Sequence, residues 1–135
     1  MLGMLMPAIS QYMTREPYSI PSSSTAGKAK SVMRSHLVRH LAIMDGPEVV
    51  GIVSGADLEA MTKLTDLDLE TVPVSSVMTT PVTVWGSAPL DEVAEMMSEK
   101  KCDCVVVLGG HGLQGIFTAT DALRALSELL QRAAG

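Results

Sequence analysis

Gly51-Ile-Val-Ser54-Gly-Ala-Asp57 returns, 64 residues later, as Gly115-Ile-Phe-Thr118-Ala-Thr-Asp121. A glycine, two apolar residues, a hydroxyl and then an acid three positions on make one small pattern, present twice. Working outward, Pro17-Tyr-Ser-Ile20 is echoed by Pro81-Val-Thr-Val84 at the same offset. Further out, Ile9-Ser-Gln-Tyr-Met13-Thr14 is echoed by Val74-Ser-Ser-Val-Met78-Thr79 at an offset of 65, so one residue is dropped just before Pro81. A repeat of this length is one supersecondary unit duplicated, and such units bury their apolar faces against each other.

Each copy reads in the same order. A short helical lead-in ends at Met13 or Met78, and a proline opens an extended segment, 18–20 or 82–84. The serines after it, Ser22 to Ser24 and Ser87, are expected helix N-caps. Apolar residues then fall on helical stripes, Ala26, Ala29, Val32 and Met33 in the first copy and Leu90, Val93, Ala94 and Met97 in the second. Strands are expected over 41–44 and 105–108. Glycine turns at Asp45-Gly46 and Gly109-Gly110 fold these back on strands 49–53 and 113–117. A last helix begins near Asp57 or Asp121, and residues 132–135 are expected to fray. The reading is therefore an α/β (α+β) protein of two β-α-β-β-α repeats, residues 7–65 and 73–131, joined by a linker at 66–72 and packed with pseudo-two-fold symmetry.

At 135 residues, each half is of a size at which a lone core is marginal, so one shared core is expected. With 47% hydrophobic but only 3% aromatic residues, that core must be aliphatic and rich in methionine. A net charge of −5 argues against nucleic acid, which needs a basic face. No apolar run reaches spanning length, so no membrane insertion is expected. Met1-Leu-Gly-Met-Leu-Met6 lacks a basic flank and meets Pro7, unlike a secretory signal. Cys102 and Cys104, one residue apart, are poor disulfide partners and read as reduced thiols of a cytoplasmic protein.

Taken together, the two copies resemble a tandem pair of CBS domains (the cystathionine β-synthase motif), or Bateman module. The resemblance runs from Ile9 to about Leu130. It rests on Met-Thr before a proline-led strand, an amphipathic helix, a glycine turn, and Ser54-x-x-Asp57 or Thr118-x-x-Asp121. It implies a regulatory module, not an enzyme. An adenosine-containing ligand (AMP, ADP, ATP or S-adenosylmethionine) would lie in the inter-repeat cleft and alter an effector protein, with modules often paired into homodimers.

A carboxylate can accept hydrogen bonds from both vicinal ribose hydroxyls. Asp57 and Asp121 suit this role, with Ser54, Thr118 and Thr120 as hydroxyl partners. The same pattern also serves as an ordinary N-cap with an acidic first turn. Arg39 is where the resemblance places a phosphate-binding guanidinium, with His40 and Lys101 adding positive charge; Asp103 replaces Arg39 in the second copy. Thr14, Tyr18, Thr79, Thr80 and Val82 would frame the adenine. Two other readings stay open: a structural dimerisation module with empty clefts, and a thiol or metal sensor at Cys102, Cys104 and His111. The latter lacks Cys-x-x-Cys spacing. No nucleophile–base set and no Walker-type glycine loop is visible.

Overall fold

The computed structural model describes residues 5–64 and 66–135. Met1–Met4 of the apolar start and Thr65, at the end of the first expected repeat, lie outside them.

Contacts group the chain into two units that cross the order of the sequence. One holds residues 1–16 together with 82–135, the other residues 17–81. The middle unit contains strand β2 (Ser19–Pro21), helix α1 (Ala26–His36), strands β3 (His40–Asp45) and β4 (Glu48–Ser54), and helix α2 (Gly55–Leu64). Its sheet has the order β2-β3-β4, with β2 parallel to β3 and β3 antiparallel to β4. The outer unit repeats this as β5 (Thr83–Trp85), α3 (Leu90–Lys100), β6 (Cys104–Gly109), β7 (Gly112–Thr118) and α4 (Ala119–Ala134). It adds an edge strand, β1 (Thr14–Arg15), which pairs antiparallel with β7. The β-α-β-β-α order expected from the sequence is thus present twice. Even the irregularities repeat: the register slips after Ile43 in β3 and after Val107 in β6, which are equivalent positions.

The two lead-ins are exchanged. A single 3-10 turn at Ile9–Gln11 packs Ile9 and Met13 into a core with Leu90, Val93, Val105, Val107 and Phe117 of the second copy. Backbone bonds fix it there, Ile9 N donating to Ala88 O at 2.8 Å and Leu90 N to Pro7 O at 2.9 Å. The matching turn, Val74–Ser76, packs Val74 among Ile20, Ala29, Leu41, Ile43 and Val53 of the first copy. Here Ala26 N donates to Val72 O at 2.7 Å and Val74 N to Ser24 O at 2.9 Å. Most of the buried apolar residues fall into two clusters, one within each unit, while Ala42, Ile52, Cys104, Val106 and Ile116 are buried outside both. With its foreign lead-in, each unit fills its own interior.

The helix ends correct the sequence reading in three places. Thr25, not a serine, caps α1, accepting from Lys28 N. Pro89 stands at the N-cap of α3 and offers no side-chain bond. Residues 132–134, expected to fray, continue α4, where Arg132 pairs with Glu128 four residues earlier. Among the described residues no helix is long and apolar enough to cross a membrane.

Candidate ligand-binding site

The recurring Gly-x-x-Ser/Thr-x-x-Asp pattern lies where the last strand of each repeat turns into its last helix. In the middle unit β4 ends at Ser54, whose Oγ accepts from Asp57 N at 3.1 Å and caps α2. Asp57 itself is exposed, and its carboxylate has no partner among the described residues. Arg39 arrives at the same helix start from β3's approach. Its carbonyl accepts from Gly55 N at 2.8 Å, and its guanidinium lies so close over Gly55 that a Cβ there would be 3.2 Å from Cζ. Arg39 Nη1 also reaches Glu59 Oε1 at 3.6 Å, an exposed pair. His40 sits opposite Ser54 in the β3–β4 register. The expected ribose and phosphate residues of the first copy are therefore gathered at one exposed helix N-terminus, a place that favours anions.

The equivalent corner of the outer unit is closed. Asp121 is 2% exposed. Its carboxylate accepts from Thr14 Oγ1 at 3.0 and 3.2 Å, from Thr118 N at 3.0 Å, from Thr118 Oγ1 at 3.1 Å and from Arg124 Nη1 at 3.0 Å. Thr118 accepts from Asp121 N in turn, completing a capping box at the start of α4. A buried carboxylate needs such partners, because leaving it unpaired costs several kcal/mol on the order of a broken buried ion pair. Thr120 is exposed on the first turn of α4, and Lys101, also exposed, forms the left-handed C-cap of α3 at φ 55°.

The difference between the corners has a residue-level cause. Arg124 is replaced by Ala60 in the first copy, so the guanidinium that closes over Asp121 has no counterpart at the equivalent place beside Asp57. Thr14 turns its hydroxyl to Asp121, whereas Thr79 donates its own to Ile52 O at 3.3 Å. Neither role was expected from the sequence. Arg124 could have been found from its i+3 spacing to Asp121; Thr14 could not, since 107 residues separate the partners.

The expected adenine residues divide between the units. In the middle unit Tyr18 stacks on His36, centroids 4.0 Å apart and planes 14° inclined, while Thr79 exchanges backbone bonds with Ile52 and Thr80 is exposed. In the outer unit Val82 packs against the core and accepts from Val106 N at 2.8 Å. The cysteines are free. Burial, reinforced by the charges of Asp103, Asp121 and Cys102, pushes the Cys104 thiol up to about 12, so it is no thiolate at neutral pH. Among the described residues no three His, Cys, Asp or Glu side chains are grouped as metal ligands.

The CBS domain family model matches residues 9–60 and again residues 74–128. The chain belongs to the CBS domain family. As a tandem CBS pair it is similar to a crystal structure from Vibrio cholerae attributed to an acetoin utilization protein (AcuB). That likeness has 33% identity and a TM-score of 0.81 over 94% of this chain and 95% of that one. A CBS domain protein of Pyrobaculum aerophilum, crystallised with AMP, is 25% identical with a TM-score of 0.79, covering 96% of this chain and all (100%) of that one. An uncharacterized protein of Methanocaldococcus jannaschii is 29% identical over 90% of this chain. The CBS pair spans about a third (32%) of that relative's length. CBS domains are in general regulatory, non-catalytic modules.

Proposed function

We propose that this CBS pair is a cytoplasmic regulatory module that binds an adenosine-containing ligand through the Asp57 corner and acts, as a homodimer, on an effector protein. The observation that carries the reading is the pairing of an exposed, unpartnered carboxylate at Asp57 with the Arg39 guanidinium over the same helix start. The carboxylate suits the two ribose hydroxyls, and the guanidinium fork suits phosphate oxygens. The AMP complex of the Pyrobaculum aerophilum relative supports the ligand class. Regulation would follow from a ligand that favours one arrangement of the protein over another.

The engaged carboxylate of Asp121 favours a different role for the outer unit, in which this acid holds structure and takes no ribose. The reading is therefore of one working site, not two.

Thermal unfolding with AMP, ATP, S-adenosylmethionine and zinc tests it. A native-state binder at a hundred times its Kd stabilises by about 2.7 kcal/mol. AMP or a close relative should raise the Tm of the wild type, and Asp57→Ala and Arg39→Ala should each remove the rise. A wild type that no adenosine compound stabilises sinks the reading. Stabilisation by zinc alone, lost in Cys102→Ser, would favour a metal sensor instead.

A further inference from the structure

A cavity of about 490 Å³ opens on the outer unit where the end of β5 meets the turn between β6 and β7. Its size is that of a small-molecule site. It lies at the Gly109–Gly112 end of the hairpin, whereas Thr118, the cap over Asp121, stands at the other. Trp85, the only tryptophan in the chain, lines it and is 63% exposed. Gln114, Ser10 and Ser87 bring an amide and two hydroxyls, and Gly86 and Gly109 bring bare backbone. No charged side chain lines it; Arg15, which donates to Ser10 O at 3.5 Å, is not part of the lining.

The glycines make room for the amide. A Cβ at Gly86 would collide with Gln114 Oε1, and one at Gly109 would stand 3.0 Å from the same atom. Among the described residues the Gln114 amide has no hydrogen-bond partner. Backbone bonds fix the wall: Gly86 N donates to Leu108 O at 3.0 Å, Ser10 N to Gly86 O at 3.1 Å and Ala88 N to Trp85 O at 2.9 Å. The first copy keeps this frame and discards the lining. There Ser22 N donates to Met44 O at 2.8 Å, the counterpart of the Gly86 bond. Yet at the repeat offset of 64 the places of Trp85, Gly86, Gly109 and Gln114 are held by Pro21, Ser22, Asp45 and Val50. The fold therefore requires neither the tryptophan, nor the glycine pair, nor the amide.

We propose that this cavity binds a neutral sugar, with one face of a pyranose ring on Trp85 and its hydroxyls on Gln114, Ser10 and Ser87. The lining selects the class. A charged ligand would meet no counter-charge there, and a desolvated charge without a partner is costly. A wholly apolar ligand would cover the Gln114 amide and leave it unsatisfied. A sugar ring has an apolar C–H face to lay on the aromatic ring, whose own face carries partial negative charge. Its edge is a set of hydroxyls that both donate and accept, as a side-chain amide does. The cavity belongs to the outer unit and shares no residue with the Asp57 corner, so the adenosine reading can fail without touching it.

Because Trp85 is the only tryptophan, the fluorescence of the full chain reports this cavity directly. Titration with glucose, galactose, mannose, N-acetylglucosamine, maltose and cellobiose, beside glucose 6-phosphate and AMP, tests the proposal. At least one neutral sugar should shift the emission saturably, with a Kd on the order of 1 mM or tighter. The same sugar should move the Trp85 indole and Gln114 side-chain amide signals in NMR spectra. Gln114→Val, which installs the first-copy residue, should weaken binding about five- to ten-fold. Trp85→Ala, followed through the Gln114 amide signal, should abolish it. Both variants should respond to AMP as the wild type does. Gly109→Asp, which fills the cavity with the other first-copy residue, serves as a further variant should Gln114→Val lower the Tm. No saturable response to any of the neutral sugars, a response to the phosphorylated sugar alone, or sugar binding that survives Trp85→Ala overturns the proposal.

Discussion

Two aspartates at equivalent positions carry different burdens, and their substitution should say so. Asp121 is buried and holds four groups together: the Thr14 hydroxyl, the Thr118 amide and hydroxyl, and the Arg124 guanidinium. Replacement by alanine leaves these donors without their acceptor, and losses of this kind cost about 2–4 kcal/mol. Asp57 lies in the open at a helix start, where a carboxylate contributes under about 1 kcal/mol. Urea unfolding of Asp121→Ala and Asp57→Ala should therefore separate the two, with a large fall in midpoint for the first and a small one for the second. Equal losses would mean that the Asp121 network contributes no more than a plain cap. The hydroxyl-x-x-acid pattern is legible as a local motif because both of its readings, cap and ligand, use the same spacing. Which reading holds at each copy depended on residue 60 or 124 and on a threonine from a distant segment, and the motif itself contains neither.

At the scale of elements, strands and helices were readable because apolar period and turn residues act locally. Strand 41–44 became His40–Asp45 and strand 105–108 became Cys104–Gly109, each lengthened by one residue at either end. The lead-ins were readable as short helical turns, but their docking was not, since either copy offers the same apolar groove to Ile9 or Val74. Glycine marks the place where each one docks. A Cβ at Gly115 would stand 2.6 Å from both Met13 Sδ and the Thr14 carbonyl oxygen, and one at Gly51 would collide with Met78. The carbonyl cannot retreat without giving up the β1–β7 pairing. Gly115→Ala should therefore destabilise by about 1–3 kcal/mol, the usual cost of overpacking, and should speed amide exchange at Thr14–Arg15. Gly110→Ala, with nothing within 4 Å of its added methyl, is the control. Slow exchange at β1 in the Gly115 variant would show that the edge strand tolerates the displacement.

At the scale of the whole molecule, duplication and exchange make the folding unit differ from the repeat. A cut in the sequence between copies yields residues 1–65, which keep Ile9 but lose Val72 and Val74. Those two side chains are 7% and 0% exposed in the core of the middle unit, and their backbones bond to Ala26 and Ser24 at the start of α1. Residues 17–81 keep the entire unit. Both fragments are 65 residues long by their numbering, so chain length, which makes domains of this size marginal, does not distinguish them. What differs is whether the apolar face of α1 has its lid. Losing two buried valines exposes apolar surface worth about 1.5–3 kcal/mol for each side chain, a large part of what a domain this small can have in reserve. Residues 17–81 should thus unfold cooperatively in urea, while residues 1–65 should show a much lower midpoint or no transition. Adding a peptide of residues 66–81 should restore the transition to residues 1–65 and leave 17–81 unchanged. Equal midpoints for the two fragments would mean that each copy is closed by whichever lead-in is nearer in the chain, and that the exchange of lead-ins adds nothing to the stability of either unit.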